Sequence, residues 1–285
     1  AMWHVNEFTR RLGLRYPIVQ GPFGGGLSSI DLMVAVSEAG GLGSFGAHHL
    51  APEKLGDLTR QIRARTQRPF ALNLWVSNQD PGGDRLTADQ FATAIERFRP
   101  YYDALGMSPP PMPERYGQHF EDQVQAMLDA APPVMSFVFG IPSPAILSEC
   151  RSRGIATMGT ITTIDEAIAM DQAGVDIIVA TGFEAGGHRV SFLRSAEESL
   201  TGTLALIPQV ADRVSRPVIA AGGIADGRGV AAALTLGAQG VQIGTAFLAC
   251  EESGTNELHR KMLFTDDAKY TALTRAFSGR LARGI

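Results

Sequence analysis

The chain has 285 residues, 45% of them hydrophobic, and a formal net charge of −4 from 25 Lys/Arg and 29 Asp/Glu. That length and apolar content bury one large core; the lack of a basic block argues against a nucleic-acid partner, and the lack of a long uninterrupted apolar run argues against a membrane span. Cys150 and Cys250 cannot build a disulfide framework, and Ala1-Met2-Trp3-His4 has no signal-peptide character, so a reducing cytoplasm is the expected setting and both thiols are expected to be inert.

Strand-like and helix-like segments then alternate along the chain. Short apolar runs at 18–21, 41–44, 70–74, 134–139, 156–160, 177–180, 218–220 and 240–243 read as strands. They lack polar alternation, as expected of parallel strands buried on both faces. Helical patterns lie between them at 32–39, 52–66, 143–153, 164–173, 204–214 and 228–236. Thr163 with Glu166 predicts a capping box. Gly174 and Gly237 stand where a helix ends in a left-handed residue. Eight such β-then-α units predict a closed (β/α)8 barrel, with a doubly wound open sheet as the competing architecture. One connection is far longer. Residues 77–133 hold Asp80-Pro81-Gly82-Gly83, a helical pattern at 88–102 that Thr87 and Gln90 could cap, a proline-rich run at 108–113 and a second helical pattern at 120–131. A structureless loop of that length is unusual in a compact domain. The segment predicts a small helical insertion, over the catalytic mouth or on the surface, that divides the barrel into 1–76 and 134–285.

The densest chemistry follows the sixth predicted strand, in Thr181-Gly182-Phe183-Glu184-Ala185-Gly186-Gly187-His188-Arg189. Its glycines let backbone amides approach a ligand closely, and His188 is delivered just beyond them. An imidazole there can take a proton near neutral pH or steady an anion. Gly222 and Gly223 end the seventh strand; Gln242, Gly244 and Thr245 end the eighth. Strand-end amides and a hydroxyl at these two positions suit a phosphate, the usual cradle of such barrels. At the first strand end, Gln20-Gly21-Pro22-Phe23-Gly24-Gly25-Gly26 lets the backbone pass close to a flat ring, and Asn73 on the third strand offers a carboxamide to a ring edge. Gly41-Leu42-Gly43-Ser44-Phe45-Gly46 matches GxGxxG but falls within the second strand with no helix opening on the third glycine, so it is not a dinucleotide site. His48 and His49 read as a loop pair without a role. No Walker loop, HExxH or GxSxG occurs, and no metal site is expected.

These features together resemble the nitronate monooxygenase family, also called 2-nitropropane dioxygenases, in its bacterial class I form. The resemblance is carried by Pro17-Ile-Val-Gln-Gly-Pro-Phe, Ala39-Gly-Gly-Leu-Gly-Ser, Pro69-Phe-Ala-Leu-Asn-Leu, Ser136-Phe-Val-Phe-Gly-Ile-Pro, Glu184-Ala-Gly-Gly-His-Arg, Ala221-Gly-Gly-Ile-Ala-Asp, Gln242-Ile-Gly-Thr-Ala-Phe-Leu and Ala276-Phe-Ser-Gly-Arg-Leu-Ala-Arg-Gly. It implies an FMN-dependent barrel with the flavin phosphate on Gly222, Gly223, Gly244 and Thr245. The ring would lie near Pro22, Phe23, Asn73, Gly186 and Gly187, with Thr181 and Gln242 also contacting the flavin and His188 facing the substrate. The implied reaction oxidises an anionic alkyl nitronate, such as propionate 3-nitronate, with O2 to a carbonyl compound and nitrite. The chain departs from the family pattern at Thr181, where many relatives carry Gln, at Val138, where they often carry His, and at Val190, a common glycine. Two other readings compete: an FMN-dependent enoyl-thioester reductase using NAD(P)H, which shares the Ala-Gly-Gly-His core, and, given the changes at Thr181 and Val138, a flavin- or phosphate-binding protein without turnover. A dehydrogenase acting through a loop cysteine is disfavoured, since neither Cys150 nor Cys250 is placed for it.

Overall fold

A short helix, α1 (Glu7–Leu12), precedes the first strand, and from there strands and helices alternate. The order is β1 (Ile18–Gln20), α2 (Ile30–Ala39), β2 (Gly43–Gly46), α3 (Pro52–Arg63), β3 (Phe70–Trp75), α4 (Ala88–Ala104), α5 (Phe120–Ala130), β4 (Val134–Val138), α6 (Pro144–Ser152), β5 (Ala156–Ile161), α7 (Ile164–Ala173), β6 (Ile177–Thr181) and β7 (Gly187–His188). There follow α8 (Thr203–Ala211), β8 (Val218–Ala221), α9 (Gly227–Thr235), β9 (Gly240–Ile243), α10 (Thr245–Leu248), α11 (Glu257–Met262), β10 (Ala272–Thr274) and β11 (Ala282–Gly284). The structure, a computed structural model, describes residues 2–76, 86–114 and 116–285; the Asp80-Pro81-Gly82-Gly83 stretch lies outside them.

Eight strands pair in parallel in the order β1-β9-β8-β6-β5-β4-β3-β2. The two ends of that sheet are joined by a parallel bridge between Val19 and Leu42, with Gln20 N–H donating to the Leu42 carbonyl at 2.9 Å and Leu42 N–H to the Ile18 carbonyl at 2.9 Å. The ring is therefore closed, which removes the exposed edges that an open sheet would leave. All eight expected strands are present. The second is shifted two residues along the chain, because Leu42 serves as the bridge and the regular ladder with β3 begins at Gly43.

Burial explains the unbroken apolar runs. Val19, Leu42, Ala71, Val134, Met158, Ile177, Val179 and Ile219 pack in one cluster with Phe8 of α1. Helix α1 covers the amino-terminal end of the strands: Asn6 Nδ2 donates to the Gln239 carbonyl at 2.6 Å, and Arg11 pairs with Asp176, just ahead of β6. The outward faces meet the helices in two further clusters. The GxGxxG glycines are packing residues, since a Cβ on Gly43 would collide with the Met33 carbonyl and one on Gly46 with the Phe23 carbonyl. Cys150 is buried and its thiol is pushed up to about 11 by burial, so it stays protonated and inert.

The connection between β3 and β4 holds two different helices. Helix α4 starts on the expected Thr87–Gln90 capping box and buries no residue. Helix α5 buries Phe120, Gln123, Val124, Met127 and Leu128, and its apolar residues join the cluster of Leu55, Leu58 and Phe70. It thus lies in the outer ring of the barrel as the β3–β4 crossover helix. Gln123 ties it to the loop after β2 by donating to the carbonyls of His48 and Leu50, both at 2.8 Å.

The Thr163–Glu166 capping box forms only in half. Thr163 Oγ1 accepts from the Glu166 N–H at 3.2 Å, but the Glu166 carboxylate turns inward. It accepts from Thr162 N–H and Oγ1, both at 2.7 Å, from Phe192 N–H at 2.7 Å and from Leu193 N–H at 3.2 Å. Four donors satisfy a buried carboxylate far better than one cap amide would. The result is a strut between α7 and the segment that follows His188.

Candidate active site

Because the eight barrel strands are parallel, their carboxyl ends share one rim, where barrel enzymes place their chemistry. Thr181 ends β6 and is buried. Beyond it Arg189, only 2% exposed, returns under the loop and binds three carbonyls: Gly182 through Nη1 at 2.7 Å, and Thr181 and Ser199 through Nη2 at 3.1 and 2.9 Å. Burial lowers its pKa to about 10, so the guanidinium remains charged at neutral pH. With Glu166 holding residues 192–193, both flanks of the Gly186–His188 segment are fixed from below. Glu184 accepts from Thr203 N–H at 3.0 and 3.1 Å and from Thr203 Oγ1 at 2.8 Å, which anchors the same loop to the start of α8.

Three strand ends converge on a shallow glycine cup. Gly222 and Gly223 follow β8 with φ of +108° and +70°, which only glycine adopts without strain. A Cβ on Gly222 would stand 2.8 Å from Thr203 Oγ1, and one on Gly186 would stand 3.0 Å from Thr245 Oγ1. The β6 loop and the first turn of α10 are therefore in contact across the cup. Among the described residues, the N–H groups of Gly222, Gly223 and Gly244 donate to no protein acceptor. These amides and the Thr245 hydroxyl make a donor set of the kind that suits a phosphate. Of the other residues singled out from sequence, Phe23 ends the β1 loop with its ring edge 3.9 Å from the Cβ position of Gly244. Its backbone is pinned by Ser28 Oγ, which donates to the Phe23 carbonyl at 2.9 Å and accepts from its N–H at 3.1 Å. Pro22 precedes it, half-buried, and Gln242 is half-buried on β9. Asn73 is buried on β3 and donates through Nδ2 to Ser136 Oγ at 3.0 Å.

His188 sits on β7, which pairs antiparallel with β11 in a small second sheet with β10. That pairing carries the chain's last segment over the mouth. Ser278 Oγ lies 2.6 Å from His188 Nε2, and the Arg280 guanidinium lies over the rings of Trp75 and Phe139, at 5.4 and 5.7 Å from their centroids. His188 meets Trp75 edge-on at 5.4 Å and Phe139 at 6.2 Å. On the other side of this group, His48 stacks parallel on Trp75 with 3.9 Å between centroids. Phe139 has φ of +63°, a left-handed conformation that costs a bulky residue about 1–3 kcal/mol and is held only where its surroundings impose it. Burial, with the nearby Arg280 charge, lowers the pKa of His188, so its imidazole is neutral at neutral pH. His48 is lowered to about 4, first by burial and then by His49, His188 and Arg280. Among the described residues, its buried Nδ1 has no hydrogen-bond partner.

The sequence reading set His48 aside as part of a loop pair; the structure places it against the Trp75 ring instead. It also gave no role to Trp75, Phe139, Ser278 or Arg280. Phe139, Ser278 and Arg280 lie within stretches that carry the family resemblance, but such stretches do not reveal pairing across 90 residues.

Fold and site together define an enzyme of the (β/α)8 class, with a phosphate-fitted cup and a neutral imidazole on one rim. Comparison with known proteins is specific. The nitronate monooxygenase family model matches residues 6–285. A probable nitronate monooxygenase of Staphylococcus haemolyticus is 43% identical over 286 residues, covering 100% of this chain and 79% of the relative. The structure of a nitroalkane oxidase from Streptomyces ansochromogenes superposes with a TM-score of 0.87 at 34% identity, covering 98% of this chain and 78% of that one. That of FabK from Thermotoga maritima superposes at 0.74 and 28% identity, covering 98% and 74%. The chain belongs to the nitronate monooxygenase family, a class of flavin-dependent oxidoreductases. Among the described residues, no helix is long and apolar enough to cross a membrane.

Proposed function

We propose that this chain oxidises small alkyl nitronates, of the propionate 3-nitronate class, with O2 to a carbonyl compound and nitrite, using one non-covalently bound FMN. The observation that carries this reading is the placement of His188 on the barrel rim beside the glycine cup of β8 and β9. Gly222, Gly223, Gly244 and Thr245 would hold the single phosphate. Pro22, Phe23, Asn73, Thr181, Gly186, Gly187 and Gln242 would face the rest of the cofactor. When bound, the flavin supplies the electron acceptor for the nitronate and passes electrons on to O2.

The protein's own contribution is positional and electrostatic. A nitronate is already a carbanion equivalent, so no strong base is needed. A neutral His188, hydrogen-bonded to Ser278, orients the anion and takes a proton at a ring nitrogen only if a neutral nitroalkane is the substrate. Trp75 and Phe139 line the mouth and limit water around the reacting atoms. The two free thiols accord with a reducing cytoplasmic setting.

The test is a visible spectrum of the purified protein, identification of the flavin released on denaturation, and anaerobic mixing with propionate 3-nitronate. The expected result is released FMN and bleaching of the flavin band on mixing. Release of FAD, or no flavin uptake after reconstitution with FMN, overturns the cofactor assignment. Bleaching by NADH with turnover of an enoyl thioester, and none by nitronate, moves the chain to the reductase reading. Bound FMN that neither donor reduces leaves a flavin-binding protein without turnover.

A further inference from the structure

We infer that His48 is a positioning residue: its ring, trapped between Trp75 and the β1 loop, seats the Trp75 indole against His188. This deepens the proposed reaction and rests on His188 being the group that faces the substrate. A side chain one contact removed from the reacting group acts on rate by fixing the angle at which that group is presented.

His48 stacks on Trp75 with 3.9 Å between centroids and 6° between planes. Trp75 in turn meets His188 edge-on, at 5.4 Å and 75°. Phe139 closes the group, 4.8 Å from Trp75 and 6.2 Å from His188. Two rings and the Ser278 hydroxyl therefore hold the His188 imidazole, and His48 sets the Trp75 half of that seat. The His48 ring has little freedom of its own. A Cβ on Gly24 would stand 3.2 Å from His48 Cε1 and 3.9 Å from Trp75 Cζ2, so the β1 loop bounds both rings. Below the ring the backbone is fixed: Gln123, buried on α5, donates to the His48 carbonyl, and Ala47 N–H donates to the Asn73 carbonyl at 2.9 Å. Hydrogen bonding at Nδ1 does not orient the ring, since that atom has no partner among the described residues. Flat contact does, and a neutral imidazole suits it, because it lies on the indole as an aromatic face with no charge to solvate. Burial lowers the pKa of both His48 and His188; the charged and titratable groups that act on them are Arg280, from the β10–β11 connection, and His49, besides His188 acting on His48. Trp75 is part of the cover over His188, so displacing it readmits water and favours the protonated imidazole.

The experiment follows the histidine rings of the purified protein by NMR over a pH titration, with the His188 signals identified by their loss in His188→Ala. Three variants are compared with wild type. His48→Leu fills the space without a flat face, His48→Phe restores a flat face, and Trp75→Leu removes the indole itself. His188 is expected to titrate below 6.5 in wild type. Its pKa should rise towards that value in His48→Leu and Trp75→Leu and return to the wild-type value in His48→Phe. Oxidation of the nitronate of 1-nitropropane should slow by about 10- to 100-fold in kcat in His48→Leu and recover in His48→Phe. A purely structural role would lower the melting temperature without moving the titration of a ring on another strand. Should His48→Leu unfold, His48→Met, which also lacks a flat face, takes its place. Wild-type titration of His188 in His48→Leu or in Trp75→Leu overturns the assignment, as does an equal rise in His48→Leu and His48→Phe. The expected titrations without nitronate oxidation by wild type keep the seat and reject the reaction. Oxidation with unchanged kcat and KM in His48→Leu keeps the reaction and rejects His48.

Discussion

Gly223→Asp is expected to abolish cofactor retention while leaving the barrel folded. Gly223 lies exposed after β8 with φ of +70°, and a Cβ there would stand 3.3 Å from Glu184 Cβ. The substitution therefore has two separable costs. A left-handed backbone costs a non-glycine residue roughly 1–2 kcal/mol, and Gly223→Ala carries that term alone. The introduced carboxylate adds repulsion against a phosphate in the cup, roughly 2–4 kcal/mol for one unit of phosphate charge at about 4–8 Å and an effective dielectric near 20. That is about 30- to 1,000-fold in affinity. The assay is the flavin-to-protein ratio after gel filtration, followed by fluorescence titration of the apoprotein with FMN, with circular dichroism as the fold control. Gly223→Ala should bind FMN slightly more weakly than wild type and Gly223→Asp should not retain it. Equal FMN affinity in the Asp and Ala variants would remove the phosphate from this cup.

His188→Ala should keep the flavin spectrum but slow anaerobic bleaching by propionate 3-nitronate about 10²- to 10³-fold; equal rates would make His188 structural. Arg189→Met removes the donor to three buried carbonyls, which should destabilise the protein by about 2–5 kcal/mol and loosen the Gly186–His188 loop, read as a lower melting temperature and weaker FMN binding. An unchanged melting temperature would show that the strut is dispensable. Gly43→Ala should cost about 1–3 kcal/mol or more through overpacking against the Met33 carbonyl, whereas a nucleotide-fingerprint role would predict a cofactor defect at unchanged stability. His48 contributes a pH dependence of known sign. Its folded pKa is lowered from 6.5 to about 4, so between those values the unfolded chain binds a proton that the folded one does not. Stability is full above pH 6.5 and falls as the pH drops towards 4. The melting temperature over that window should fall less steeply in His48→Asn than in wild type, and identical slopes would refute the burial of His48.

What the sequence determined was local. Apolar runs without alternation specify doubly buried parallel strands, and glycines at their ends specify where a backbone can meet a ligand. Both are properties of a few consecutive residues, so the eight strands, and the glycines that follow them, were legible. Helix α5 was legible as a helix but not as part of the ring, because its stripe from Phe120 to Leu128 says only that something covers it. Glu166 was misassigned to a cap for a similar reason: three-residue spacing permits the box, and only the inward position of Phe192 and Leu193 made four donors available instead. The remainder of the mouth belongs to tertiary structure alone. Antiparallel pairing of β11 with β7 brings Ser278 and Arg280 to His188 from 90 residues away, and parallel pairing of β2 with β3 sets their ends side by side so that His48 stacks on Trp75. Adjacent histidines and a terminal Ser-Gly-Arg carry no periodicity that could announce this. Their environment, and with it their charge state, is fixed by the burial that distant segments impose.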